Sequence, residues 1–236
     1  MKTLSAAVPG AACMPIEQFS IAGRCFSLEL PDQEEFLSEA VAGEFSGAVG
    51  WDPYWGMIWA AAPITARLLL QAAPRAESSL ELGCGVGLTG LAALAAAIPV
   101  TFSDQSDAAV RMACRNAERN GLCGFDSAVF SWSAPPERRW DFLFGSDILY
   151  DTAAHDALLT TLRRTLLPGG CIWIGDEGRG NSDVFVERAR DTGWRVRLLN
   201  DRLRPLQAGR GKQFRLLLMD AADSFLLGGE GGHSQG

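Results

Sequence analysis

The chain has 236 residues, 47% hydrophobic and 21% charged, which suits one α/β domain with a buried core plus an N-terminal extension. Its formal charge of −7 argues against a phosphate-binding face of the kind nucleic-acid binders carry. No apolar run reaches the roughly 18 residues needed to span a bilayer, so neither nucleic acid nor membrane is expected as a partner.

The opening residues, "MKTLSAAVPGAACMPIEQF", carry one lysine and an apolar stretch broken by Pro9 and Pro15. They read as a flexible arm and not as a signal peptide. Cys13, Cys25, Cys84, Cys114, Cys123 and Cys171 form no Cys-x-x-Cys pair, and the only histidines are His155 and His233. No metal site is expected, and the cysteines read as reduced, mostly buried thiols of a cytoplasmic protein.

In chain order, residues 19–32 alternate on both sides of Ala22-Gly23-Arg24 and predict a β-hairpin. Residues 33–45 predict a short helix and 46–56 a loop punctuated by Gly and Pro. Helical periodicity follows over 57–73, with Pro63 tolerable near a first turn. From residue 78 strands and helices alternate: a strand ending in "LELG", an apolar helix "LTGLAALAAAI", and a strand over 100–104. The helix over 106–121 has Ser106 as cap and Gly121 as stop. Strands at "FDSAVFS" and 140–147 follow, then a helix from Thr152 ended by Pro168-Gly169-Gly170, and a strand over 171–175. A helix over 182–193 and strands over 194–200 and 213–219 close the order, and the tail from 223 is low-complexity. The resulting expectation is a doubly wound, mostly parallel seven-stranded sheet. Residues 1–50 form the arm and hairpin extension, 51–222 the main domain and 223–236 a disordered tail.

Ligands on such sheets bind beyond the carboxyl ends of the strands, so function is sought where each strand stops. The stretch "LELGCGVGLTG" (80–90) reads in two registers. Gly85, Gly87 and Gly90 spell the G-x-G-x-x-G of nicotinamide dinucleotide enzymes. Glu81, Gly83, Gly85 and Gly87 spell the E-x-G-x-G-x-G of an S-adenosylmethionine loop. Asp104 ends the second strand and could accept both ribose hydroxyls of either cofactor. Three features favour S-adenosylmethionine. There is no second glycine loop for a second mononucleotide, the closing strands form a hairpin, and the loop bears Glu81 with no cation nearer than Arg75 and Arg67.

The stretches "LELGCGVGLTGLAAL", "VTFSD", "NAERNG" and "FGSDILYD" together resemble the methyltransferase family 16 branch of class I methyltransferases over roughly residues 51–220. That branch contains many protein-lysine methyltransferases and carries an Asp-x-x-Tyr motif, here Asp147-Ile148-Leu149-Tyr150. The resemblance implies S-adenosyl-L-methionine as cofactor and a protein lysine as acceptor. A small-molecule N- or O-methyltransferase remains the alternative, and a nicotinamide oxidoreductase a more distant one. It also places Trp59, from "IWAAAPITARLL", at the cofactor and Trp132, from "FSWS", at the adenine. Asp147 and Tyr150 are the expected catalytic pair, orienting the acceptor amine, against a reading of Asp147 as the cap of the following helix and Tyr150 as packing. Ser146 joins Gly83, Gly85, Gly87 and Asp104 among the expected cofactor contacts. Glu81 stays open between a contact to the methionine amine and a structural place at the strand end. Asp176, Glu177 and Arg179 are candidates to select the substrate. His155 reads as a surface residue, "NAERN" (116–120) as a solvated helix end, and the protein as a monomer.

Overall fold

The computed structural model describes residues 14–31, 53–206 and 213–221. Its first element is the expected hairpin, β1 (Ile16–Ile21) paired antiparallel with β2 (Arg24–Glu29). Ala22 and Gly23 join them with φ of 48° and 80°, the left-handed pair that matches the twist of the flanking strands. The helix expected over 33–45 and the tail from 223 lie outside the described residues.

The remaining strands are β3 (Ser79–Leu82), β4 (Val100–Asp104), β5 (Phe125–Val129), β6 (Trp140–Ser146), β7 (Leu166–Asp176), β8 (Trp194–Leu199) and β9 (Arg215–Ala221). They form one seven-stranded sheet in the order β5-β4-β3-β6-β7-β9-β8. The pairings from β5 to β7 are parallel, and β9 slots antiparallel between β7 and β8. The helices are α1 (Ala61–Ala72), α2 (Leu88–Ala95), α3 (Asp107–Arg119), α4 (His155–Thr165) and α5 (Gly180–Asp191).

Apolar strands covered on both faces give the sheet two separate cores. Phe102, Phe142, Phe144 and Trp173 pack with residues of α1, α2 and α3 on one side. Leu80, Leu82, Leu143, Ile172 and Ile174 pack with residues of α4 and α5 on the other. Ser106 caps α3 as expected, accepting the Ala109 N–H at 3.3 Å.

One junction departs furthest from the sequence expectation. The helix expected to run to Pro-Gly-Gly ends at Thr165, and Pro168-Gly169-Gly170 lie inside β7. Opposite them the register with β6 jumps from Trp140↔Leu166 to Phe142↔Cys171. Such an irregularity admits a proline that has no N–H for the ladder.

The stretch over 116–120 is a solvated helix end only at Glu118 and Arg119. Asn116 is fully buried, and its side chain accepts the Glu29 N–H at 2.8 Å and donates to the Glu29 and Val86 carbonyls. One turn later Asn120 accepts the Ser27 N–H at 2.9 Å and donates to the Ser27 carbonyl at 2.8 Å. Two amides at i and i+4 thus imitate a neighbouring strand, satisfying alternate backbone groups along the edge of β2. Phe26, Leu28 and Leu30 beside them join the α1–α3 core.

The thiols are more exposed than expected: Cys84 is buried, Cys114 and Cys171 half-buried, and Cys25 and Cys123 exposed, all free. Among the described residues no helix is long and apolar enough to cross a membrane, and no cluster of His, Cys, Asp and Glu could hold a metal ion.

Candidate active site

A cavity of about 560 Å³ opens beyond the carboxyl ends of β3, β4 and β6. Its floor is the turn from β3 into α2, where Gly83, Gly85 and Gly87 take φ of 61°, 49° and 91°. The turn is held by the Gly87 N–H to the Cys84 carbonyl, 2.8 Å, and the Cys84 N–H to the Ser103 carbonyl, 2.9 Å. Gly85 has a second reason to lack a side chain. A Cβ there would stand 2.8 Å from the Trp55 carbonyl oxygen, so the short 3-10 turn Pro53–Gly56 rests directly on it.

Asp104, at the end of β4, lines the cavity and braces its floor. Its Oδ2 accepts the Gly85 N–H at 3.2 Å, and its Oδ1 accepts the Ser106 N–H at 2.9 Å. Glu81 and Gly87, by contrast, do not line the cavity. Glu81 lies beneath the loop, 1% exposed, where its Oε1 accepts the Gly90 N–H at 3.0 Å and the Thr89 hydroxyl. Its Oε2 is buried with no hydrogen-bond partner among the described residues. Burial pushes the Glu81 carboxyl up to about 8 against the pull of those two hydrogen bonds, so it is protonated at neutral pH.

Across the cavity, Asp147 follows Ser146 at the end of β6, and both residues line the wall. Asp147 is 7% exposed and takes φ of 56°, a left-handed conformation unusual for a residue with a side chain. It does not cap the helix that follows. Its Oδ2 accepts the Ala61 N–H at 2.9 Å, capping α1 instead, and its own N–H donates to the Gly175 carbonyl at 2.8 Å. Asp147 Oδ1 is buried and has no hydrogen-bond partner among the described residues. Burial pushes this carboxyl up to about 7, opposed by the Ala61 N–H, while the charges of Glu177 and Asp176 add to the rise.

Aromatic rings line the rest of the cavity. Phe130 and Trp132 follow β5, while Tyr54, Trp59 and Tyr150 gather at the opposite side. Tyr54 stands edge-on to both Trp59 and Tyr150, with centroids 5.7 Å and 6.3 Å away. Trp59 donates its indole N–H to the Tyr54 carbonyl at 3.0 Å, and the Arg179 guanidinium lies 5.4 Å over its ring. Every expected site residue except Glu81 and Gly87 therefore meets at one cavity. The sequence reading missed Tyr54, although the aromatic density of "PYWGMIW" beside a glycine was a signal available to it.

Of the three candidates after β7, Asp176 is committed to the fold. It is 2% exposed, accepts the Gly178 N–H and Ser182 hydroxyl, and pairs with Arg215 of β9 at 3.3 Å. Glu177 and Arg179 pair with each other at 2.8 Å beside a second cavity.

Comparison with known proteins matches this geometry to a family. The chain is 32% identical over 132 residues to an electron transfer flavoprotein beta subunit lysine methyltransferase of Danio rerio, covering 54% of this chain and 51% of that protein. Its counterpart in Homo sapiens is 30% identical over 138 residues, covering 54% and 50%. The chain thus spans about half the length of the curated relatives it matches. Among solved structures, the glycopeptide N-methyltransferase MtfA, complexed with S-adenosyl-L-methionine, superposes with a TM-score of 0.54 at 15% identity. That match covers 67% of this chain and 93% of the other and establishes a common fold. The family model described as lysine methyltransferase matches residues 52–191, more than half of the sequence, and the chain belongs to that family, methyltransferase family 16.

Proposed function

We propose that this chain is an S-adenosylmethionine-dependent methyltransferase whose acceptor is the side-chain amine of a protein lysine. The observation that carries the reading is the charge of the cavity. Its charged lining among the described residues is Asp104, Asp147 and Asp151, with no Lys, Arg or His. A nicotinamide dinucleotide would bring a pyrophosphate among carboxylates, whereas a sulfonium nucleoside and an ammonium acceptor both bring positive charge to them. The lysine acceptor is supported by the family and by the names of its relatives, which are lysine methyltransferases. The fold alone does not choose it, since a glycopeptide N-methyltransferase shares the architecture.

The residues present fit the cofactor. The turn after β3 brings Gly83 and Gly85 to the cavity, Asp104 stands ready for ribose hydroxyls, and Phe130 with Trp132 offers rings for the base. When bound, S-adenosylmethionine supplies a methyl group on a sulfonium, poised for in-line displacement by a nucleophile held close to it. On the protein's side, Asp147 Oδ1 accepts a hydrogen bond from the acceptor nitrogen, and the Ala61 N–H fixes the other oxygen so that the carboxyl plane is set beforehand. Because this carboxyl titrates near 7, Oδ1 holds a proton drawn from the amine more readily than an ordinary aspartate would. Tyr54, Trp59 and Tyr150 give a cationic side chain an aromatic approach to that oxygen. In this reading residues 51–222 are the methyltransferase domain and the hairpin is an extension braced on α3.

Two measurements test the proposal. Calorimetry is expected to give micromolar binding of S-adenosylhomocysteine and none of NADH. Incubation with labelled cofactor and electron transfer flavoprotein beta subunit is expected to place label on a lysine. Binding of NADH alone overturns the cofactor, and transfer only to small molecules overturns the acceptor.

A further inference from the structure

Building on the methyltransferase reading, we propose that His155 is a positioning residue that sets the Asp147–Tyr150 turn for the acceptor amine. His155 begins α4 and is fully buried, with its ring edge-on to Phe185 at 5.2 Å. Its Nε2 lies 3.1 Å from the carbonyl oxygen of Leu149. A carbonyl only accepts, so Nε2 carries the hydrogen of this bond, and Nδ1 is the ring's other polar atom. That Nδ1 is buried with no hydrogen-bond partner among the described residues.

These facts pull in opposite directions for a residue with a purely structural role. A buried polar atom without a partner costs stability, and an apolar side chain against Phe185 and the α4–α5 core would avoid that cost. What the histidine gives in return is one hydrogen bond, and its target is the peptide between Asp147 and Tyr150. This turn is also held from other elements, starting with the Ala61 N–H of α1 on the Asp147 carboxylate at 2.9 Å. The Asp147 N–H donates to Gly175 in β7, and the Tyr150 carbonyl accepts from Asn181 of α5 at 2.5 Å. His155 fixes the stretch between those two ties. The turn starts in a left-handed conformation that a residue with a side chain adopts reluctantly, so it depends on such outside contacts. Both side chains that address the acceptor hang from it. A displacement of about 1 Å at such a position can cost on the order of 100-fold in rate.

The test pairs His155→Leu, which removes both ring nitrogens, with His155→Gln, whose amide nitrogen can reach the Leu149 carbonyl. Four quantities are read: thermal midpoint, S-adenosylhomocysteine affinity, kcat with the acceptor, and peptide-resolved hydrogen exchange over residues 145–152. The leucine variant is expected to keep its thermal midpoint and its affinity, to lose about tenfold in kcat, and to exchange faster in that segment. The glutamine variant is expected to recover most of the kcat and the slow exchange. A leucine variant with unchanged kcat and unchanged exchange overturns the proposal, as does a glutamine variant that rescues neither. If the wild-type protein binds S-adenosylhomocysteine but methylates no acceptor, the functional reading fails by itself, and the exchange comparison still decides whether His155 holds the turn.

Discussion

The Ala61 N–H and the Asp147 carboxylate, 86 residues apart in sequence, are joined by a hydrogen bond of 2.9 Å. A helix leaves its first backbone donors unpaired, and Ala60 at the head of α1 has no side chain to satisfy them. Asp147, just after β6, supplies the missing cap from the cavity wall. One carboxyl oxygen thereby anchors α1, and the other is buried without a hydrogen-bond partner among the described residues.

Asp147→Asn separates these two tasks. The amide keeps an oxygen for Ala61, so stability is expected to change by less than about 1 kcal/mol. The atom facing the acceptor amine becomes an uncharged NH2 that cannot accept its proton, and turnover is expected to fall about 10²–10³-fold. Affinity for S-adenosylhomocysteine should stay unchanged in calorimetry. Since burial holds the wild-type carboxyl at about 7, kcat should rise with pH through that value as Asp147 ionises. The variant should lack this rising limb. An affinity loss that tracks the rate loss would make Asp147 a cofactor contact instead.

Asp104 carries both a ribose assignment and a brace. Asp104→Ala is expected to weaken S-adenosylhomocysteine binding by about 1.5–3 kcal/mol, the range for losing a charged acceptor. Asp104→Asn keeps an oxygen for the Gly85 N–H, 3.2 Å away in the native protein, and should lose less. Equal losses in the two variants would mean that charge alone matters, and wild-type affinity in both would remove Asp104 from the cofactor's contacts.

At Gly85 the first atom an added side chain meets is the Trp55 carbonyl oxygen, 2.8 Å from an added Cβ. Gly85→Ala is therefore expected to lift the Pro53–Gly56 turn off the loop. Limited proteolysis near that turn should speed up and cofactor affinity should drop together. Faster cleavage with intact affinity would separate the turn from the binding site.

The sheet was legible because its central strands are mostly buried and end on polar residues, and Asp104, Ser146 and Asp147 stand where β4 and β6 stop. The antiparallel last strand was legible as two β-rich runs with no helix between them. What stayed hidden was pairing across long sequence separations. Nothing around Asn116 announces that its amide will serve Glu29, 87 residues earlier, and an asparagine-rich helix end looks the same when it is solvated. His155 misled for a similar reason, since a polar residue opening a helix is usually exposed, whereas here its ring packs on Phe185 and meets the Leu149 carbonyl. Glu81 belongs to a binding motif in sequence and lies under the loop in space, where it accepts from the Thr89 hydroxyl and the Gly90 N–H at the start of α2.

That placement makes Glu81 a stability switch whose sign can be worked out. Burial raises its carboxyl from 4.5 to about 8, so the folded protein keeps a proton that the unfolded chain releases. The stability tied to that proton is fully present below about 4.5 and is lost as pH climbs through 8. Glu81→Gln imitates the protonated acid: an oxygen remains for the Gly90 N–H and the Thr89 hydroxyl, and nothing is left to ionise. The thermal midpoint of the wild-type protein should therefore fall relative to that of the variant as pH rises from 6 to 9, with the two closest at the acid end. Asp147 contributes a loss of the same sign around 7 but is present in both proteins, so it cancels in the difference. Parallel midpoint curves across that range would mean that Glu81 is ionised beneath the loop, and its unpartnered oxygen would then need a cation to face it.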